Sequence, residues 1–170
     1  MTRAALATLV VVFSLSEAPE AVACPERPGN IQAVPLLEPV VESLLSVSPT
    51  FSGQCERISA MPLVRVMVAS LPRSEEACCR ARTTVRRYPS GVMLALVEIP
   101  SPRRSEEYAE LLGHEFEHIV EQLDGTELDG RPDRAEASAG GWAGAYETER
   151  AHWAGKAVAA EVQRSGAVEP

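Results

Sequence analysis

Aromatic side chains are scarce in this chain: three Phe, three Tyr and two Trp make up 5% of it. So few rings leave little to stack on nucleobases or to build a carbohydrate-binding platform. Basic charge is also short, with 16 Lys and Arg against 24 Asp and Glu, a net charge of −8 and a pI near 5.0. The densest basic run, Arg80 to Arg87, is broken by Thr83, Thr84 and Val85 in a strand-like pattern. Nucleic acid is therefore not an expected partner. The longest apolar run, Ala4 to Leu15, is too short for a permanent membrane-spanning helix. There is no C-x-x-C pair and no histidine near a cysteine, which removes the usual cysteine-rich structural zinc site. No internal repeat is visible.

What is present begins with an export signal over residues 1 to 23. Arg3 gives the positive start, Ala4 to Leu15 the apolar stretch, and Ala21-Val22-Ala23 the small-residue cleavage site. The expected location is outside the cytoplasm: periplasm, cell envelope or medium. Cys24 follows directly and could carry a lipid anchor. Ala21 stands where such lipid-attachment signals usually have Leu, which favours simple cleavage. Exported chains meet oxidising conditions. Neighbouring Cys78 and Cys79 are too strained to pair with each other, so a disulfide is expected from Cys55 to one of them.

With 170 residues the chain has room for one domain with a real core. Residues 24–35, rich in Pro and Gly, read as an irregular lead-in, 36–165 as the domain, and 166–170 as a tail. Leu37, Val40, Val41, Leu44 and Leu45 recur as on an amphipathic helix that ends near Ser48-Pro49. Pro62 to Ser70 is rich in β-branched residues and predicts a strand. Thr83 to Tyr88, Pro89-Ser90-Gly91 and Val92 to Ile99 predict a β-hairpin. A helix follows around Tyr108 to Leu123, stopped by Gly125. Thr126 to Ala145 is rich in Gly, Ala and Asp and reads as a loop. A last helix is predicted from Tyr146 to about Arg164, stopped by Ser165-Gly166. The fold class is α+β.

The chemistry concentrates in the helix before Gly125, at His114-Glu115-Phe116-Glu117-His118. Two of the three histidines stand four apart around a glutamate, the pattern H-E-x-x-H. On a helix, residues four apart share a face, so His114 and His118 can offer both imidazoles to one metal ion. Glu115 is then placed to take a proton from a water activated there. Leu112, Phe116, Ile119 and Leu123 form the core face of the same helix.

A catalytic zinc ion usually takes three protein ligands and keeps a fourth position open. Asp124, Glu136, Glu147, Glu149 and His152 are the candidates for the third. On the last helix, beginning at Tyr146, Glu147 shares a face with Ala151, Ala154, Val158 and Val162. A carboxylate on that packing face is costly unless it is paired or bound to metal. Glu147 is the expected ligand and Glu149, on the solvated side, the fallback. Ala151, Ala154 and Gly155 would let the two helices approach closely.

H-E-F-E-H followed by a glutamate on a second helix resembles the gluzincin branch of the zincin metallopeptidases, over about Arg82 to Ala160. The resemblance implies a minimal zincin fold: a small sheet with a hairpin packed on the active-site helix, then a C-terminal helix carrying the third ligand. It implies zinc bound by His114, His118 and Glu147, Glu115 as catalytic base, and a peptide or protein substrate. The strand Val92 to Ile99 would border the cleft and hold an extended peptide along its edge. Position 151, four after Glu147 and often acidic in that branch, is Ala. The metzincin pattern needs Gly at 121 and His at 124, where this chain has Glu121 and Asp124. A non-catalytic zinc-binding module and a hydrolase of non-peptide substrates are the competing readings.

Overall fold

The computed structural model describes residues 27–71, 81–101, 103–125 and 147–166. The expected signal, Cys24, Cys78, Cys79, Glu136 and the loop after Gly125 lie outside them. Eight elements follow in order: β1 (Ile31–Ala33), α1 (Glu38–Val47), α2 (Pro49–Ser59), β2 (Val64–Ser70), β3 (Arg82–Arg87), β4 (Met93–Ile99), α3 (Ser105–Leu123) and α4 (Glu149–Ser165). The fold is α+β, with one mixed four-stranded sheet in the order β1-β2-β4-β3.

Alternation fixes the faces of the sheet. Val64, Val66 and Val68 of β2 point inward, as do Met93, Ala95, Val97 and Ile99 of β4, while Arg65, Met67, Leu94 and Leu96 point out. Val66 lies opposite Ile31 on one side and Ala95 on the other, both in parallel pairs. β3 runs antiparallel to β4, with Val85 opposite Ala95. The hairpin closes through Tyr88 N donating to Val92 O, and Gly91 takes the positive φ of +83° that the turn requires. The outer face keeps Met67, Leu94 and Leu96 exposed. It carries a shallow depression of about 460 Å³ that those three residues line with Tyr88, away from the histidines.

The helices cover the inner face. Phe51, Phe116, Leu112, Ile119, Ile58 and Leu37 are fully buried and form one core with the inward valines. Ser48 joins two helices by itself. It ends α1, where its N–H donates to Leu44 O, and caps α2, where its hydroxyl accepts from Phe51 N at 3.0 Å. Among the described residues no helix is long and apolar enough to cross a membrane.

Four sequence expectations change. β4 is not an edge strand: β2 and β3 flank it, so its backbone groups are already paired, and among the described residues the edge strands are β1 and β3. The lead-in contains β1, which pairs with β2. The chain does not leave helix at Ser48-Pro49, because Pro49 fits the first position of a new helix, where no N–H partner is needed. Cys55 is a free thiol, 1% exposed in the core. Burial, with Glu56 beside it, pushes that thiol far above the ordinary cysteine range.

Candidate metal centre

α3 is the platform. Its core side seats Leu112, Phe116 and Ile119, with the Phe116 ring tilted against Phe51 of α2 at a centroid separation of 4.8 Å. The adjoining side faces α4, and there the helices nearly touch. A Cβ added at Gly113 would meet Val158 Cγ2 at 2.6 Å and the Gly155 Cα at 3.3 Å. Two glycines at the crossing thus bring the start of α4 beside the histidines.

His114 and His118 stand edge to face, their ring centres 4.7 Å apart. Their Nε2 atoms converge to 3.1 Å. Glu147 Oε2 lies 3.4 Å from the same His114 Nε2. A tetrahedral zinc with bonds of about 2.0–2.1 Å places neighbouring ligand atoms about 3.3 Å apart. Both separations are close to that edge, and imidazole nitrogens with a carboxylate are donor types that zinc takes. The three do not yet form a closed cage: among the described residues no group of three or more His, Cys, Asp or Glu is arranged to hold a metal as it stands. The Glu147 side chain is 68% exposed.

Glu121 Oε2 lies 3.0 Å from His118 Nδ1. A carboxylate only accepts, so the proton sits on Nδ1 and Nε2 turns its lone pair toward His114. The other oxygen, Oε1, accepts from Thr148 Oγ1 at 2.7 Å. Burial first, then His118, push the His114 imidazole below the ordinary histidine value, against the pull of Glu147. Near neutral pH it is uncharged, the form that binds metal.

Glu115 is 6% exposed. Burial raises its carboxyl above the usual range, partly offset by Thr83 Oγ1, which donates to Oε2 at 2.6 Å. A carboxylate held in this way is a stronger base than one in water.

Glu117, between the two histidines, does other work. Its carboxylate takes a hydrogen bond from Gln54 Nε2 at 2.7 Å and an ion pair from Arg150 Nε at 2.5 Å. Gln54 also donates to Gly113 O at 2.9 Å. Arg150 bridges on to Asp124, which Arg57 holds from the other side. Asp124 is therefore occupied and turned away from the histidines. Glu149 is exposed and accepts from Trp153 Nε1 at 3.3 Å. His152 is exposed beside Trp153.

No family model, no curated protein and no solved structure matches the chain. The case for a function rests on the residues themselves.

Glu147 is not on α4, and helical phase does not place it. Thr148 takes extended angles, φ −105° and ψ 147°, and its hydroxyl accepts from Ala151 N. That cap ends the helix before Glu147, which reaches His114 from the segment just outside. Nor is the Glu147 carboxylate buried, so the cost of burying a charge does not explain its position. The packing face of α4 does hold Ala151, Gly155, Val158 and Val162. Three supporting residues escaped the sequence reading: Glu121, Thr148 and Thr83. Glu121 had a usable signal, since three residues after His118 places it on the same helical side.

Proposed function

We propose that the chain is a zinc-dependent hydrolase, a peptidase of minimal zincin type exported by the signal at residues 1–23. His114, His118 and Glu147 would hold the metal, and Glu115 would be the general base. The observation that supports this reading most is the convergence of two imidazole Nε2 atoms and one carboxylate beside a buried, basic Glu115. A site that only held the fold together would not need that base.

Bound zinc would polarise the scissile carbonyl and make a water acidic enough to attack near pH 7. Glu115 would take the proton of the attacking water as the water oxygen bonds to the carbonyl carbon. It then returns the proton to the amide nitrogen as the C–N bond breaks and the amine leaves. Thr83 keeps the carboxylate oriented. The edge strand β3, which carries Thr83, is available to pair with an extended substrate.

The test is zinc stoichiometry and cleavage of an unfolded protein such as casein by the purified mature chain. One zinc per chain with cleavage that Glu115→Gln abolishes supports the reading. Zinc without cleavage of any peptide supports a binding module or a non-peptide hydrolase. Absence of zinc binding at micromolar metal removes the proposal.

A further inference from the structure

Glu121 is the most deeply buried carboxylate near the histidines, 3% exposed, and each of its oxygens has one partner. Oε2 meets His118 Nδ1 at 3.0 Å, on α3 itself. Oε1 accepts from Thr148 Oγ1 at 2.7 Å, at the start of α4. The Thr148 hydroxyl works in both directions, donating to Glu121 and accepting from Ala151 N at 3.0 Å. Thr148 is the immediate neighbour of Glu147, whose carboxylate reaches His114.

We infer that Glu121 is a positioning residue that ties the two halves of the metal site together through a His118–Glu121–Thr148 chain. The inference rests on the zinc reading above. On one side Glu121 fixes the His118 tautomer that leaves Nε2 free to ligate. On the other it pins the backbone from which Glu147 extends. Glu147 needs this support because its own side chain is 68% exposed. The chain makes the imidazole geometry on α3 and the carboxylate position before α4 interdependent, although neither Glu121 nor Thr148 touches the metal.

Zinc affinity is measured by chelator competition for the wild type, Thr148→Val, Thr148→Ser, Glu121→Ala and Glu147→Ala, and for Thr148→Val combined with Glu147→Ala. Nitrogen NMR of the metal-free protein reads the His118 tautomer. Thr148→Val is expected to weaken zinc roughly 10–100-fold, and Thr148→Ser to restore it. With Glu147 already removed, Thr148→Val should cost much less, because its effect passes through that side chain. Glu121→Ala should weaken zinc and also shift the His118 proton from Nδ1 toward Nε2, a change that loss of a helix cap alone does not produce. Should Glu121→Ala fail to fold, the Thr148 set decides the question. Zinc binding that needs His114, His118 and Glu147 yet ignores Thr148→Val overturns the inference and leaves the site reading standing. A wild type that binds no zinc overturns both.

Discussion

Gly155 and His114 meet across the α3–α4 crossing so closely that a Cβ at position 155 would stand 3.1 Å from the His114 Cβ. The same atom would lie 2.6 Å from the Glu110 carbonyl oxygen. The second contact is with backbone and cannot be relieved by turning a side chain. Gly155→Ala gains up to about 1 kcal/mol of helix propensity but forces the helices apart, at about 1–3 kcal/mol. A net loss of stability is expected in denaturant titration, together with weaker zinc binding as Glu147 moves off His114. A more stable Gly155→Ala protein with unchanged affinity would mean that the crossing is looser than described.

Glu115→Gln should leave zinc content and the fold intact and lower turnover by roughly 10²–10⁴-fold, because an amide cannot take the proton. Metal analysis and peptide cleavage on the same preparation check both halves. Normal turnover in the zinc-loaded variant would remove Glu115 from the chemistry.

Thr83→Val bears on pH. Burial already raises the Glu115 carboxyl, and the Thr83 hydroxyl opposes that rise by hydrogen bonding to the charged form. Without the hydroxyl the carboxyl should rise further. The base works when deprotonated, so the acid limb of the kcat/KM profile should move to higher pH. An acid limb that stays in place would assign it to another group.

Removing the third ligand should distinguish two neighbouring glutamates. Glu147→Ala is expected to weaken zinc by more than the roughly 10–100-fold typical of losing an outer partner. Glu149→Ala should change affinity little, since Glu149 is exposed and accepts from Trp153 on the surface. The reverse order in chelator competition would exchange their roles.

Glu161 offers a stability test apart from the metal. Burial alone would raise its carboxyl, but hydrogen bonds from Ser48 and Thr50 outweigh it and hold the group below the ordinary range. A depressed carboxyl stabilises the fold above the ordinary carboxylate range, and the gain fades as pH falls through it. Glu161→Ala should therefore cost about 1–3 kcal/mol at neutral pH, and the difference from wild type should shrink in acid. A pH-independent difference in denaturation midpoints would attribute the effect to packing alone.

The histidines and Glu115 were legible because all three lie within one helical turn or so, where spacing alone sets direction. Glu147 was a candidate through a phase argument that does not apply, since Thr148 caps the helix after it; what brings its carboxylate to His114 is the segment before α4. The clue was the threonine itself, a favoured cap. The Thr83–Glu115 contact joins β3 to α3 and depends on tertiary packing that no local pattern encodes. α2 did carry a signal, Phe51, Cys55 and Ile58 at helical spacing behind a serine cap. Pro49, read as a stop, concealed it. β1 spans three residues, too few for alternation to be seen, and β4 is apolar enough to read as either edge or centre.

Ser48 leaves the joint between α1 and α2 without slack. Its hydroxyl must reach Phe51 N and Glu161 while α2 keeps Phe51 against Phe116 and Gln54 against Glu117. A residue added or removed within the first turn of α2 would rotate Phe51 and Gln54 by about 100° relative to the cap. The cap and the aromatic contact could not then both be kept, and Gln54 would lose Glu117 at the same stroke. At this joint the chain is constrained in length more than in composition, and a single-residue insertion there would be felt as far away as the helix that carries His114.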